Sequence, residues 1–213
     1  MKYQTYIFDL DGTLINSLGD LAASTNHALR SSGYPERTTD EVRRFIGNGV
    51  HKLIERAVPT TATPDDISCV YNIFRQYYLA HGTDNTHPYD GIMEMLHELR
   101  RCGKKIAVVS NKFYDATKEL TDFYFPNMLD AAIGENEHLR KKPNPDIVLE
   151  ALRQMGVTNE NAVYIGDSDV DIDTARNCGM PCVSVLWGYR DRRFLTEHGA
   201  TTFAEAPEDI LKI

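Results

Sequence analysis

Near the start of the sequence, two acidic residues follow a short apolar segment. Residues 5–8, Thr-Tyr-Ile-Phe, form an apolar and aromatic run of the kind that fills a buried strand. The run ends in Asp9-Leu10-Asp11-Gly12-Thr13, and a helical pattern follows from Leu18. Carboxylates where a strand ends lie at the carboxyl edge of a sheet, which is where open α/β sheets bind ligands. The alternative is a solvated turn, because Asp, Gly and Thr are ordinary turn residues.

The spacing between the first two predicted strands is unusually long. Almost a hundred residues separate the first strand from the next one, at 106–109, and they contain about five helical patterns. A crossover between parallel strands needs only about a dozen residues and usually holds one helix. We therefore predict an all-helical cap domain at residues 15–81, inserted into the first crossover of a catalytic core formed by residues 1–14 and 82–213.

The second half of the chain alternates between strand and helix patterns. After 106–109, further strands are predicted at 131–133, 162–165, 182–186 and 201–203, with helices between most of them. Repeated β-α units imply a parallel sheet that helices cover on both faces. The predicted fold class is α/β, with a Rossmann-like parallel sheet core and the inserted helical cap.

The composition of the chain limits the kinds of molecule that it is expected to bind. The formal net charge of −8 and the pI of about 5.3 argue against nucleic acid or an anionic membrane, because both favour a basic face. No apolar run approaches the 18 or so residues of a membrane span. The four cysteines form no CxxC pair, and strand-like residues begin almost at once, so we expect a cytoplasmic protein. Monomer and homodimer both remain open.

Polar residues follow three further predicted strands. Ser110-Asn111 comes after the second strand, Lys141-Lys142-Pro143 after the third, and the acidic segment 166–173 after the fourth. In isolation these could be a turn, a solvated surface and an acidic helix start. Their common position at strand ends instead favours one shared site with Asp9 and Asp11.

In this order the residues match a known signature. The sequence resembles the haloacid dehalogenase superfamily, whose pattern is DxDx(T/V), then Ser/Thr, then Lys, then GDxxxD, and the resemblance covers essentially the whole chain. It implies a phosphate-transferring hydrolase. Because Asp11 occupies a position where the dehalogenases of the family lack an acid, it favours phosphate esters as substrates.

The chemistry of phosphate ester hydrolysis suits these residue types. Asp9 can act as a nucleophile that forms an aspartyl-phosphate, and Mg²⁺, with Asp9 and Asp167 as carboxylate ligands, can offset the repulsion between the two anions. Asp11 can protonate the leaving oxygen and then activate water. The resemblance adds the Asp11 backbone carbonyl as a metal ligand and assigns Asp171 to the water shell of the metal.

The remaining candidates bind the phosphate. Ser110 and the Asn111 backbone can bind phosphoryl oxygens, and Gly12 lets the backbone approach them closely. Lys142 can neutralise Asp9 and the phosphate; Lys141 is chemically a near-equal candidate, and only the Lys-Pro pattern of the family selects Lys142.

The predicted cap carries the evidence on substrate. Gly47-Asn48-Gly49 and the segment 186–189 resemble phosphoglycolate phosphatases, which implies 2-phosphoglycolate as the substrate. Arg44, Asn48 or Lys52 could then bind its carboxylate, although the pattern favours Arg44 as an exposed helix residue and is also met by a plain turn at 47–49. The alternatives are a pyrophosphatase, a sugar-phosphate phosphatase or β-phosphoglucomutase, and a non-catalytic binding module.

Overall fold

The computed structural model describes residues Met1–Ile213 and contains eight strands and nine α-helices. The strands are β1 (Thr5–Phe8), β2 (Ile15–Asn16), β3 (His87–Pro88), β4 (Lys105–Phe113), β5 (Ala131–Glu135), β6 (Ala162–Gly166), β7 (Cys182–Val185) and β8 (Phe203–Ala204). The helices are α1 (Leu18–Ser31), α2 (Thr39–Phe45), α3 (Val50–Ala57), α4 (Pro64–His81), α5 (Ile92–Arg101), α6 (Tyr114–Tyr124), α7 (Asp146–Met155), α8 (Asp169–Asn177) and α9 (Arg192–Glu197), and a 3₁₀ helix follows at Pro207–Lys212.

The chain divides into two compact units. The sheet unit comprises Met1–Asn16 and Pro88–Ile213, and the helical unit comprises Ser17–His87 with α1 to α4. The predicted fold class, a parallel sheet core with an inserted helical part, is confirmed. The unit boundaries differ from the predicted 15–81.

The sheet unit is built on six parallel strands in the order β5-β4-β1-β6-β7-β8. β1 is central, and its last residue Phe8 pairs with Val108 of β4 and Ile165 of β6. The carboxyl ends of β1 and β6 are therefore aligned, with the last part of β4 running on beside them, which is the condition for residues at this edge to meet.

Helices cover both faces of the sheet, as the continuous apolar character of β1 requires. Tyr6 and Phe8 point to one face and pack in a cluster with Leu96 and Leu99 of α5. Ile7 points to the other face, in a cluster that includes Ala151 of α7 and Ala175 of α8. All four residues of β1 are buried.

The helical unit has its own core and its own end signals. Residues such as Leu29, Ile54 and Phe74 are fully buried in it. Thr38 and Thr63 cap α2 and α4, and each accepts a hydrogen bond from the backbone of the acid three residues further on.

The helical unit extends beyond the predicted boundary because of a buried acid in α1. Asp20 is 1% exposed, and its carboxylate accepts hydrogen bonds from the backbone N–H groups of Asn85 and Thr86 and from both their side chains. This ties residues beyond α4 to α1, so the unit ends at His87 rather than at residue 81. None of the helices is long and apolar enough to cross a membrane.

β4 is longer than predicted. It runs to Phe113 rather than ending at Val109, and its register with β5 shifts between those two residues. Ser110 and Asn111 therefore lie within an irregular strand end instead of in a loop, and this gives their backbone a fixed course.

Candidate active site

Asp9 is held at the centre of the site by the sheet itself. Its N–H donates to the carbonyl of Ile165 (2.9 Å), which continues the pairing of β1 with β6. Oδ1 of its side chain accepts a hydrogen bond from the Leu10 N–H (2.7 Å) and lies 2.8 Å from Nζ of Lys142. The residue is buried, with 9% of its surface exposed.

Lys142 is the cation next to Asp9, whereas Lys141 is turned to Glu135 at 3.5 Å and is half-exposed. Nζ of Lys142 also lies 2.8 Å from Oδ1 of Asp171 and donates to the hydroxyl of Tyr164 (3.0 Å). Burial alone would lower the pKa of Lys142, but Asp171 and Asp9 raise it above its ordinary value. The lysine is therefore charged at any physiological pH.

The backbone of Lys142 is fixed by Asn111. The Asn111 side chain accepts a hydrogen bond from the Lys142 N–H (2.8 Å) and donates to the Lys142 carbonyl (3.0 Å). The peptide bond between Lys142 and Pro143 is cis. Asn111 thus links β4 to the lysine segment, a role for its side chain that we did not predict.

Asp167 and Asp171 come from the end of β6 and the first turn of α8. Asp171 is fully buried, and its Oδ2 accepts hydrogen bonds from the backbone N–H groups of Asp167 and Ser168 and from the Ser168 hydroxyl. Its Oδ1 accepts from Lys142 and Tyr164. Because five donors occupy its two oxygens, Asp171 is suited to position its neighbours more than to bind a cation directly.

Three buried carboxylates meet here, from Asp9, Asp167 and Asp171, and each offers one oxygen that lies within 4.8 Å of the oxygens offered by the other two. Burial, followed by the charge of Asp171, raises the pKa of Asp9 well above its ordinary value. The same two causes raise the pKa of Asp167 to about 7. Like charges in a buried site repel, so the cluster favours a cation, and oxygen ligands suit a hard divalent ion such as Mg²⁺.

The side chain of Asp167 occupies space that is open because Gly12 and Gly188 have no side chains. Gly12 has a φ of +87°, and a Cβ on either glycine would overlap the side chain of Asp167. The loop after β7 that contains Gly188 is anchored at two points: the Tyr189 N–H donates to Asp167 (2.7 Å), and the Trp187 indole N–H donates to the Thr13 carbonyl (2.9 Å). The sequence predicted that Gly12 lets the backbone approach the phosphate. It did not predict that the 186–189 segment contacts Asp167 and Thr13.

Ser110 lies buried on β4, two residues beyond Val108, which pairs with the last residue of β1. Its hydroxyl oxygen accepts a hydrogen bond from the Lys112 N–H (3.2 Å). A serine hydroxyl that already accepts keeps its hydrogen for donation, which is what binding a phosphoryl oxygen requires.

Two further residues of the site were missed in the sequence. Lys112 is buried, and its Nζ lies 2.9 Å from both carboxylate oxygens of Asp11. Tyr164 lies in the middle of β6 with its hydroxyl between Lys142 and Asp171. The sequence contained a hint of each residue's role. Lys112 directly follows Ser110-Asn111, and a tyrosine within an apolar strand needs a partner for its hydroxyl.

The predicted substrate residues Arg44, Asn48 and Lys52 all lie in the helical unit. Arg44 is exposed on α2. Asn48 follows α2, and its side-chain oxygen accepts from Arg56 (2.8 Å). Lys52 on α3 pairs with Glu55 (2.8 Å). Their role toward a substrate stays a prediction.

Comparisons with known proteins identify the family of the chain. A family model described as haloacid dehalogenase-like hydrolase matches residues 6–185. Phosphoglycolate phosphatase of Aquifex aeolicus is 35% identical over 184 residues, covering 86% of this chain and 84% of the relative. Phosphoglycolate phosphatase of Rhodobacter capsulatus is 37% identical over 194 residues, covering 86% and 84%. A crystal structure from Lactobacillus delbrueckii subsp. bulgaricus superposes with a TM-score of 0.94 at 34% identity, over 99% of this chain and 97% of that one.

The chain therefore belongs to the haloacid dehalogenase-like hydrolases. Within that family it is a phosphoric monoester hydrolase that resembles the phosphoglycolate phosphatases. The predicted family and enzyme class are confirmed.

Proposed function

We propose that this enzyme is a Mg²⁺-dependent phosphatase that hydrolyses a small phosphomonoester, 2-phosphoglycolate, through an aspartyl-phosphate on Asp9. The observation that supports this most is the packing of Asp9 against Lys142 (2.8 Å) within the buried carboxylate cluster. Phosphate ester hydrolysis needs a nucleophile and positive charge around the phosphoryl oxygens, and this site offers both.

The carboxylates of Asp9 and Asp167 and the backbone carbonyl of Asp11 would hold the metal. Bound there, Mg²⁺ would supply positive charge to the phosphoryl group and to the acids around it. We propose that Asp171 supports the site indirectly, through its hydrogen bonds to the Asp167 backbone and to Lys142.

In the first step, a side-chain oxygen of Asp9 attacks phosphorus. Oδ1 is held by the Leu10 N–H and by Lys142, so we assign the attack to Oδ2. Ser110, the Asn111 backbone and the Gly12 backbone bind the phosphoryl oxygens, and Lys142 offsets their charge. Asp11 donates a proton to the leaving ester oxygen, which departs as the alcohol.

In the second step, Asp11 takes a proton from a water molecule, which attacks the aspartyl-phosphate. Phosphate leaves and the carboxylate of Asp9 is restored. The same residue serves as acid and then as base, as the two half-reactions require opposite proton transfers.

The assignment of 2-phosphoglycolate rests on the relatives, which are named phosphoglycolate phosphatases at 35–37% identity. We propose Arg44, Asn48 and Lys52 as residues that contribute to substrate choice from the helical unit. The experiment below distinguishes 2-phosphoglycolate from the alternative substrates, pyrophosphate and sugar phosphates.

The test measures phosphate release with and without Mg²⁺ from 2-phosphoglycolate, pyrophosphate, glucose 1-phosphate and p-nitrophenyl phosphate. We expect kcat/KM for 2-phosphoglycolate to exceed the others by about a hundredfold, which is close to 3 kcal/mol of transition-state discrimination. A flat profile would leave a phosphatase without this specificity. The absence of any release would contradict the catalytic proposal.

The intermediate is tested separately. Borohydride reduces an acyl-phosphate, so rapid treatment during turnover followed by mass spectrometry should convert Asp9 to homoserine. Asp9→Asn should abolish turnover and labelling. Asp173→Asn, which changes an acid that pairs with Arg176 on α8, is the matched control and should retain both.

A further inference from the structure

A second buried lysine lies beside the proposed acid of the reaction. The side chain of Lys112 is only 2% exposed, and Nζ lies 2.9 Å from both oxygens of Asp11. Lysine is almost never buried without a charged or polar group to bind. The mechanism above uses Lys142 and assigns no task to Lys112.

The position of Lys112 is fixed by its backbone. Its N–H donates to Ser110 (3.2 Å), and its carbonyl accepts from the Thr117 hydroxyl (3.2 Å). A Cβ on Gly134 of the neighbouring strand would approach that carbonyl to 2.9 Å, so the two segments pack closely. The ammonium group is thus presented from the irregular end of β4, on a rigid element rather than a loop.

The two lysines are placed for different parts of the substrate. Lys142 lies at Asp9, which attacks the phosphorus, whereas Lys112 lies at Asp11, which protonates the leaving oxygen. In the first step Asp11 carries the proton that it donates, so the charge of Lys112 is then not offset by a carboxylate and favours a leaving group that is itself anionic.

We propose that Lys112 is a specificity-determining residue that binds a carboxylate carried by the leaving group, one carbon away from the ester oxygen. This inference rests on the proposed phosphatase function. It assigns recognition of the substrate carboxylate to the sheet unit, next to the reacting atoms.

Distances within the site support this assignment. An acid that protonates the leaving oxygen must come within about 3 Å of it, and Lys112 Nζ is 2.9 Å from that acid. In a glycolate ester one methylene separates the ester oxygen from the carboxylate, so the two groups are about 3 Å apart at ordinary bond lengths. The carboxylate can thus reach Lys112 while Asp11 contacts the ester oxygen.

Asp11, Ser110 and Lys112 all belong to the sheet unit, so carboxylate recognition by Lys112 requires no residue of the helical unit.

The experiment compares 2-phosphoglycolate with 2-hydroxyethyl phosphate, which replaces the carboxylate by a neutral hydroxymethyl group of similar size. Both are assayed with wild type, Lys112→Met and, as a matched control, Lys141→Met, which removes a half-exposed lysine that pairs with Glu135. We expect wild type to prefer 2-phosphoglycolate in kcat/KM, and Lys112→Met to reduce this preference by about thirtyfold, the usual effect of losing a hydrogen bond between charged groups. Lys141→Met should retain it.

Other outcomes would overturn the inference. If wild type hydrolyses both esters equally well, the phosphatase proposal stands and carboxylate recognition fails. If Lys112→Met slows both esters by the same factor, Lys112 only positions Asp11, and recognition must come from elsewhere. Failure of wild type to release phosphate from either ester would defeat the proposed function as well. Should Lys112→Met not fold, Lys112→Gln keeps a hydrogen bond to Asp11 without the charge and is expected to show the same loss of preference.

Discussion

The hydroxyl oxygen of Tyr164 lies 3.0 Å from the ammonium nitrogen of Lys142, at a fully buried position on the central part of the sheet. The same hydroxyl donates to Asp171 (3.1 Å). Lys142 is therefore held by two carboxylates and one phenol, which fixes its ammonium group opposite Asp9. A buried network of this kind is rigid only when each member is satisfied.

Tyr164→Phe should consequently lower kcat about fivefold while KM changes little, because the lysine loses one of the groups that orient it. The free energy of unfolding should fall by about 1–2 kcal/mol, the usual effect of leaving buried polar groups with one partner fewer. Steady-state kinetics and urea unfolding measure the two effects.

Tyr6→Phe is the matched control, since Tyr6 is an equally buried tyrosine of the neighbouring strand whose hydroxyl donates to the carbonyl of Ile213 (3.3 Å). It should change stability but leave kcat unaltered. Equal losses of kcat in both variants would show that Tyr164 acts on general stability and not through Lys142.

The acid cluster predicts an unusual dependence of stability on pH in metal-free protein. Burial and Asp171 raise the pKa of Asp167 to about 7 in the folded protein, whereas an unfolded aspartate titrates near 4. Between these values the folded state binds more protons than the unfolded state, so the free energy of unfolding falls as pH rises from about 4 to 7. We expect the Tm in a chelator to drop by about 5 °C or more over this range through Asp167.

Mg²⁺ should reverse this loss, because it competes with the proton for the same oxygens. The rise in Tm on adding Mg²⁺ should thus be larger at pH 8 than at pH 5. Asp167→Asn should reduce the pH dependence, with the raised pKa of Asp9 accounting for what is left, and should weaken the response to the ion. Asp173→Asn should behave like wild type. A Tm of the chelated wild type that rises between pH 5 and pH 8 would contradict the electrostatics of the cluster.

The sequence allowed prediction of the residues whose positions follow from strand periodicity. Asp9 and Asp167 directly follow apolar strands, and the pairing of β1 with β6 brings them together. A short buried strand has few alternatives in register, since a shift by one residue would expose its apolar side chains. The hydrophobic pattern of the sequence can therefore locate the end of such a strand and the residue that follows it.

Lys112 and Tyr164 were missed for a different reason. Lys112 lies in a register shift of β4, and periodicity does not show to which side such a residue turns. Tyr164 matches the apolar pattern of its strand, so nothing in the local sequence indicates that its hydroxyl meets Asp171 seven residues later. Both contacts depend on three-dimensional neighbours, and so do the hydrogen bonds of Asp20 that extend the helical unit to His87.

Gly12 offers a test that separates backbone strain from crowding at the site. Gly12 and Gly33 both have positive φ, +87° and +75°, so an alanine at either position is strained, by about 1 kcal/mol. A Cβ on Gly12 would overlap the carboxylate of Asp167, whereas a Cβ on Gly33 meets nothing within 4 Å. The two substitutions therefore share the strain and differ in the contact.

Gly33→Ala should lower the free energy of unfolding by about 1 kcal/mol and leave kcat/KM unchanged. Gly12→Ala should displace Asp167, raise the Mg²⁺ concentration needed for half-maximal activity by about tenfold or more, and lower kcat/KM by about a hundredfold, since a small misplacement of a catalytic group has an effect of this size. Titration of activity with Mg²⁺ distinguishes the two. If excess Mg²⁺ restored Gly12→Ala fully, the glycine would serve the metal site alone, and its backbone would have no separate role in binding the phosphate.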